Sequence, residues 1–452
     1  MKKEFDPTSY RSILSEPTIK KLVLSQVFFG LSSGISGFLT TFFLIYLDGG
    51  DTNVALPHFT LYYLVSNLTF AATLGPSAIL LDRIGRKRVL VAGALLSALS
   101  TFMLPLSRVW WQLLFAGAVS SIGGSLLSPA VNSIIADISL GYRREKSYSA
   151  MMATSIVPGT AGATILMVYA KLFHGVLPDS IYYEYALFAA AFLAIIGAVP
   201  VFFVKESFKH SISPVIPPSG DRKGSDPVEH DSREVPMVGK SEGPTYVVPD
   251  SLRRNHVIMK IFLINVLIGT GAGFIIPIFQ FYWYTVFNLP QEFVFFISTL
   301  GDIGMAGGSL LAPSLAKRVA RTGGRVTTIV ACQAASILCA GVVAVAPWFS
   351  NLWLAIVSFV LRQDLMNMIS PLTQAMLMDH TPVNRRGAMN SATTLLFGAP
   401  NAVSNVFSGN IVIPAVGWGY SFLALITLYT IATGLYFTTR KQDRDVLCAQ
   451  GR

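Results

Sequence analysis

The chain has 452 residues, of which 52% are hydrophobic and only 13% charged, with 34 Lys and Arg against 24 Asp and Glu. Soluble domains carry roughly 25% charge, so this composition excludes an ordinary soluble enzyme and points to a chain built for a bilayer. Three cysteines, Cys332, Cys339 and Cys448, give neither a disulfide framework nor metal-ligand spacing, and the formal charge of +10 has no soluble domain on which to form a nucleic-acid footprint.

Residues 1–15 are polar and charged. The apolar run after them is too long for the core of a cleaved signal peptide and reads as an uncleaved first span. A membrane-crossing helix takes about 17–25 predominantly apolar residues. Such stretches lie at 20–47, 58–81, 88–107, 110–136, 149–173 and 181–204, then at 257–287, 291–316, 325–346, 352–378, 389–413 and 417–439. Residues 205–256 separate the two sets; rich in Pro, Gly, Ser and mixed charge, they read as a flexible linker. The expected fold is all-α: twelve transmembrane helices in two pseudo-symmetric six-helix bundles, 1–204 and 257–439, with a tail at 440–452.

Basic residues set the orientation. With the N-terminus inside, 31 of the 34 Lys and Arg fall in inside segments, counting Lys260 at the start of the seventh span with the linker. Outer loops receive only Arg108 and Lys171, and Arg362 lies within a span. Positive charge collects on the cytoplasmic side, so both termini and the linker 205–256 are expected in the cytoplasm of a multi-pass protein of the cell (plasma or inner) membrane.

The two halves repeat. A shift of 242 places Ser128-Pro129 on Ser370-Pro371, Asp137 on Asp379, Arg143-Arg144 on Arg385-Arg386, Ser149-Ala150 on Ser391-Ala392 and Pro158 on Pro400. A shift of 237 places Pro76-Ser77 on Pro313-Ser314 and Arg88-Val89 on Arg325-Val326. Parallel six-span repeats are a way of building a solute site between two rocking halves. The loop after the second span reads Ala78-Ile-Leu-Leu-Asp82-Arg83-Ile-Gly85-Arg86-Lys87-Arg88. It resembles the G-x-L-x-D-R-x-G-R-K/R motif of the major facilitator superfamily, and the chain resembles the twelve-span prokaryotic type of that family over essentially its whole length. Ala78 replaces the leading Gly, and the second copy, Ala312 to Arg325, lacks the Asp.

The resemblance implies a transporter working as a monomer by alternating access, with no cofactor and no catalytic or metal residues. Asp82, Arg83, Gly85, Arg86 and Lys87 would form a cytoplasmic latch with Asp137, Asp379, Arg143 and Arg385. Asp82 ends its own helix, where the dipole disfavours an anion, and is better placed against a helix N-terminus of the other half. Val157-Pro158-Gly-Thr-Ala161-Gly162 retains part of the fifth-span GPxxGG of drug/proton antiporters. The bland alternative is that these small residues serve close packing.

The resemblance also assigns spans 1, 2, 4, 5, 7, 8, 10 and 11 to the cavity wall. Gln26, Gly30, Ser33, Gly37 and Thr40 share one helical face, as do Thr394, Gly398, Asn401, Asn405 and Ser408. Asn401, Asn405, Gln26, Asn265 and Gln280 are candidate solute contacts. Phe281-Tyr-Trp-Tyr284 reads as an interfacial aromatic belt, and Glu184 and Glu292 as solvated ends of helices. Arg362 and Asp302 fall near the middle of their spans, where a charge costs ~2.5–3.5 kcal/mol on insertion scales and marks function by default. Residues two apart on a helix point about 200° apart, so Asp302 is the expected partner of Arg362, with Asp364 facing elsewhere. The resulting expectation is proton-coupled export of a small solute. A proton-coupled symporter of an organic anion, sugar or other metabolite, and a non-transporting receptor on the same fold, are the alternatives. No phosphate-binding G-x-x-x-x-G-K-[ST] run is present.

Overall fold

A computed structural model of the protein describes residues 16–138, 142–204, 251–320, 324–381 and 386–449. Among them there is helix and no strand. The first half contains α1 (Pro17–Leu47), α2 (Thr52–Ile84), α3 (Arg86–Met103), α4 (Trp110–Ile138), α5 (Tyr142–Phe173) and α6 (Asp179–Phe202). The second begins with α7 (Ser251–Gly273), a 3-10 turn at Ile276–Ile278 and α8 (Phe279–Val286). It continues through α9 (Gln291–Ala320), α10 (Gly324–Val345), α11 (Leu352–His380) and α12 (Arg386–Phe407). A π-helical turn at Ser408–Val412, α13 (Ile413–Val416) and α14 (Trp418–Ala449) complete the chain.

Local chemistry sets several of these ends. Pro17 starts α1, where its missing N–H costs nothing. The Asp51 carboxylate accepts the backbone N–H of Asn53 at 2.8 Å and caps α2. Gly85, at φ 93°, is the single residue between α2 and α3, a conformation that suits glycine alone.

Nine segments among the described residues are long and apolar enough to cross a membrane. Helices α3, α9 and α12 are not among them, although each was expected to be a span. α3 begins with three basic residues, Arg86, Lys87 and Arg88, α9 carries Asp302, and α12 carries Asn401 and Asn405. Three boundaries also differ from expectation. The seventh span is broken between α7 and α8, and the eleventh passes through a π turn. The twelfth continues as helix to Ala449, because buried Asp443 takes a bidentate pair from Arg325 at 2.9 and 2.5 Å.

Packing repeats between the halves. In the first, α1 packs on α5 and α6, α4 on α2 and α3, and α3 on α6; in the second, α7 packs on α12 and α14, α11 on α9 and α10, and α10 on α14. Across the halves α5 meets α9 and α2 meets α12. Glycine makes the α1–α5 and α7–α12 approaches possible. A Cβ on Gly162 would lie 3.0 Å from the Leu31 carbonyl carbon, and one on Gly269 the same distance from that of Phe397. Gly162 belongs to the partial GPxxGG run, so close packing accounts for it.

Two apolar cores result. The larger joins the halves, with Leu39, Phe42, Phe43 and Phe59 from the first and Phe279, Phe281, Trp283 and Phe295 from the second. The smaller, around Leu22, Leu90, Ala130, Ile134 and Val201, draws only on the first half and lies at the end bearing the Asp82–Lys87 motif. At that motif end, Gly75, Pro76, Ile79, Leu80 and Ile84 of α2 are exposed. The halves are therefore knitted together at the opposite end, called here the outer end.

Gly269→Leu should overpack the α7–α12 contact and destabilise the purified protein by about 1–3 kcal/mol or prevent its folding. Gly434→Ala, at a position with nothing within 4 Å of the added carbon, should leave the thermal midpoint unchanged or slightly raised.

Candidate functional site

The break in the seventh span organises the interface. Past Gly271 the backbone turns by shorter bonds, Phe274 N–H to the Gly271 carbonyl and Ile275 N–H to that of Ala272. The polar face of α12 binds the carbonyls along this stretch. Asn401 Nδ2 donates to Gly269 O at 3.2 Å, Asn405 Nδ2 to Gly273 O at 3.0 Å, and Ser408 Oγ to Phe274 O at 2.7 Å. Asn401, Asn405 and Ser408 are at most 3% exposed. The two asparagines singled out as solute contacts thus hold a broken helix together. Asn401 has a second bond, accepting the Tyr63 hydroxyl of α2 at 2.9 Å, which links the halves.

The break redirects α8. Phe281, Tyr282 and Trp283 are each 1% exposed, so they do not form the expected interfacial belt. Phe42 of α1 stands edge-on to Tyr284 and Phe295 at 5.4 and 5.2 Å, and Phe59 of α2 packs on Phe281 at 5.4 Å. Polar contacts surround this aromatic seal. Asn410 of the π turn donates to Thr60 Oγ1 at 2.9 Å, and Gln291 Nε2 to the Tyr183 hydroxyl at 2.7 Å. Glu292, read as solvated, instead faces His174 of the first half at 4.0 Å, and Glu184 pairs with Arg108. Sequence reasoning missed Tyr63, Thr60, Asn410, Tyr183 and Gln291. The Gly269, Gly271, Gly273 and Pro277 run was the available sign that the seventh span would break.

The mid-span charges differ from expectation more sharply. Arg362 is 2% exposed. Its Nη1 donates to the neighbouring Gln363 Oε1 at 3.0 Å, and its guanidinium lies 6.0 Å from the Phe279 ring centroid. Tyr429 of α14 and Cys339 of α10 flank it. Arg362 therefore points into the second-half bundle and forms no ion pair with Asp302 or Asp364, and its Nε has no acceptor. The expected Asp302–Arg362 pair does not form because Arg362 leaves α11 on the side of α10 and α14. Asp364 leaves it toward α9, with Oδ1 against Gly304 and its backbone over Gly308; that oxygen is buried without a donor. Asp302 is half-buried on the same helix, α9.

Asn265 Nδ2 donates to Ile261 O at 2.8 Å in its own helix. Gln280 has a buried Oε1 with no donor, and Gln26 is half-buried. In the motif, Arg83 is exposed and Arg86 donates to the Ser133 carbonyl of α4 at 3.3 Å. The side chains of Asp82, Asp137, Asp379 and Arg143, and the whole of Arg385, lie outside the described residues. No group of three His, Cys, Asp or Glu side chains among the described residues is placed to hold a metal ion.

The profile of the Major Facilitator Superfamily matches residues 22–405. The chain belongs to the major facilitator superfamily. Among its relatives, the Multidrug resistance protein MdtH of Sodalis glossinidius (strain morsitans) is 28% identical over 95 residues. That match covers 20% of this chain and 24% of MdtH, so the chain spans about a quarter of that relative. In fold it is similar to solved superfamily transporters. A POT family transporter superposes with a TM-score of 0.72 at 12% identity, covering 94% of this chain and 96% of that one. The nucleoside transporter NupG gives 0.68 at 10%, covering 93% and 99%. A bacterial homologue of the human lysosomal transporter Spinster, solved inward-facing and unoccupied, gives 0.67 at 14%, covering 96% and 99%. Membership, with nine described segments long and apolar enough to cross a membrane, makes the chain a multi-pass membrane protein of a transporter family.

Tyr63→Phe removes one hydrogen bond between the halves of this superfamily member. At a net worth of about 0.5–1.5 kcal/mol, its loss should raise the ratio of outer-open to outer-closed protein by about twofold to about thirteenfold. Faster alkylation of a Thr285→Cys probe in a cysteine-free background would report it, and an unchanged rate would show that the bond does not bias the equilibrium.

Proposed function

We propose that this protein is a secondary active transporter that exports a small solute in exchange for protons by alternating access. It would work as a monomer, without cofactor, enzyme activity or nucleic-acid partner, in the cell membrane. On this reading the chain crosses the bilayer twelve times in two bundles, 1–204 and 257–439, joined by the cytoplasmic linker 205–256 and followed by the cytoplasmic tail 440–452. The motif end then faces the cytoplasm, and Asp82, Asp137, Asp379, Arg143 and Arg385 form the latch that closes it in the opposite state. The observation that carries the reading is the asymmetry of the interface. The large core and the aromatic seal join both halves at the outer end, while among the described residues the smaller core at the motif end belongs to the first half alone. This is the arrangement expected of a transporter open to the cytoplasm.

Proton coupling rests on Asp302 and Asp364. Both sit at mid-span on packed helices, α9 and α11, and neither is paired with a base. A carboxylate that exchanges a desolvated setting for a hydrated one as the halves rock takes up and releases a proton. The direction of transport rests on the match to a multidrug resistance protein. Uptake of an organic anion would need a binding cation in the cavity, and the burial of Arg362 beside Tyr429 and Phe279 argues against that reading.

Inside-out vesicles acidified within should accumulate the exported solute. Asp302→Asn or Asp364→Asn, whichever removes the coupling acid, should abolish that accumulation by at least tenfold and keep downhill exchange. Accumulation by both single variants against the gradient would leave these acids structural and defeat the proton reading. Reagent labelling of an Asn53→Cys variant only after permeabilisation would overturn the orientation.

A further inference from the structure

Of the polar contacts that join the halves at the outer end, three are between neutral groups: Tyr63 with Asn401, Thr60 with Asn410 and Tyr183 with Gln291. The fourth, His174 with Glu292, can carry charge on both sides. Two helix ends bring it together. His174 follows the last turn of α5, its backbone N–H on the Ala170 carbonyl, and Glu292 stands in the first turn of α9, the helix that α5 meets across the halves. A cation is favoured at a helix C-terminus and an anion at an N-terminus, so both ends suit a charged pair. His174 Nδ1 lies 4.0 Å from Glu292 Oε2, and that oxygen is buried with no donor. A neutral imidazole holds its proton on one nitrogen, whereas an imidazolium presents an N–H at both. The His174 side chain is 36% exposed and lines the outer cavity with Thr52, Tyr284 and Asn288, so protons reach it from the outer solution.

We propose that His174 and Glu292 form a proton-operated clasp across the outer end: protonated His174 holds the halves together there, and neutral His174 lets them part more readily. Histidine is the side chain whose charge changes between pH 5 and 8. The protonated form meets Glu292 only while the outer end is closed, so the stabilisation of closure is present at acid pH and lost as pH rises. The other groups around His174 do not alter that sign. Lys171 on its own helix, Asp179 at the start of α6, and Tyr182, whose ring lies 5.5 Å from the imidazole, all belong to the first half, as do Gly50 and Thr52. They keep their places beside His174 whichever end is open. From the second half Tyr284, Asn288 and Gln291 face it as neutral groups, and Glu292 brings the charge. The clasp depends on where the halves close, and not on which solute or ion is moved.

Spin labels at Asn53→Cys and Trp348→Cys, in the full-length cysteine-free protein in nanodiscs, report the ratio of outer-open to outer-closed molecules. The two conditions are about pH 5.5 and about pH 7.5, on either side of histidine's usual range. The parent ratio should rise with pH by about twofold to fivefold more than in His174→Gln or Glu292→Gln, the span expected of one half-exposed ion pair. His174→Lys, charged at both pH values, should hold the ratio at or below the parent's acid value throughout. Thermal midpoints confirm that the variants fold, and Glu292→Gln, which preserves size, keeps the test valid if a His174 variant does not. A ratio that falls as pH rises, or a rise equally large in Glu292→Gln, would overturn the proposal. The difference between the parent and Glu292→Gln should persist when Asp302→Asn and Asp364→Asn are added to both. The clasp and the proton-export reading can therefore fail separately.

Discussion

A broken helix inside a bilayer protein must find donors for the carbonyls that the break frees, because no bulk water is there to supply them. Gly273 and Phe274, at the end of α7, present that demand, and Asn405 of α12 and Ser408 of the π turn meet it, while Asn401 adds a further bond to Gly269 O within α7. The rest of the outer half follows. With its carbonyls satisfied, the seventh span can end α7 at Gly273 and restart as α8, which carries Phe281 and Tyr284 to the rings of Phe59 and Phe42. The π turn that follows α12 serves the same interface by presenting Asn410 to Thr60. Replacing Asn405 would leave the Gly273 carbonyl an orphan in an apolar setting, and replacing Asn401 would remove the bond to Tyr63 that joins the halves.

The seal joins two halves that are already close-packed units. Small residues bring α1 against α5 and α7 against α12 to backbone distance, so each half can move as a block. The contacts between blocks are rings and single hydrogen bonds at the outer end. Each is worth about 0.5–1.5 kcal/mol, and together they are a barrier that solute binding can overcome. A continuous interhalf core at both ends would lock the molecule. The first-half core at the motif end instead stops at its own boundary.

Much of this was legible in the sequence. The register of Ser128-Pro129 on Ser370-Pro371 and the Asp82–Lys87 motif carried the family, and hydropathy located the helices, with ends up to ten residues off where the helix runs on to Ala449. The periodic face of Asn401, Asn405 and Ser408 was visible too. Its partner was signalled only by Gly269, Gly271, Gly273 and Pro277, which mark a break but not which carbonyls it would leave for another helix to satisfy. Depth along a span can be counted, but direction around it cannot. Arg362 and Asp302 were placed at similar depth, yet Arg362 turned toward Tyr429 and Asp364 toward Gly304, since packing of α9 and α10 on opposite sides of α11 decides the azimuth. The aromatic run was ambiguous for the same reason: rings near a helix end suit a lipid interface or an interhalf contact equally well until the other half is placed.

The central claim is that the halves close at one end while opening at the other. Paired spin labels in nanodiscs measure it directly, at Asn53→Cys with Trp348→Cys for the outer end and at Arg83→Cys with Lys441→Cys for the motif end, each pair in a cysteine-free background. All four positions are exposed. Short outer and long motif-end distances should dominate, with a minor population in which both are reversed, and any condition that enlarges one population should shrink the other. Outer and motif-end distances that lengthen together, or that each stay fixed under every condition, would contradict the account.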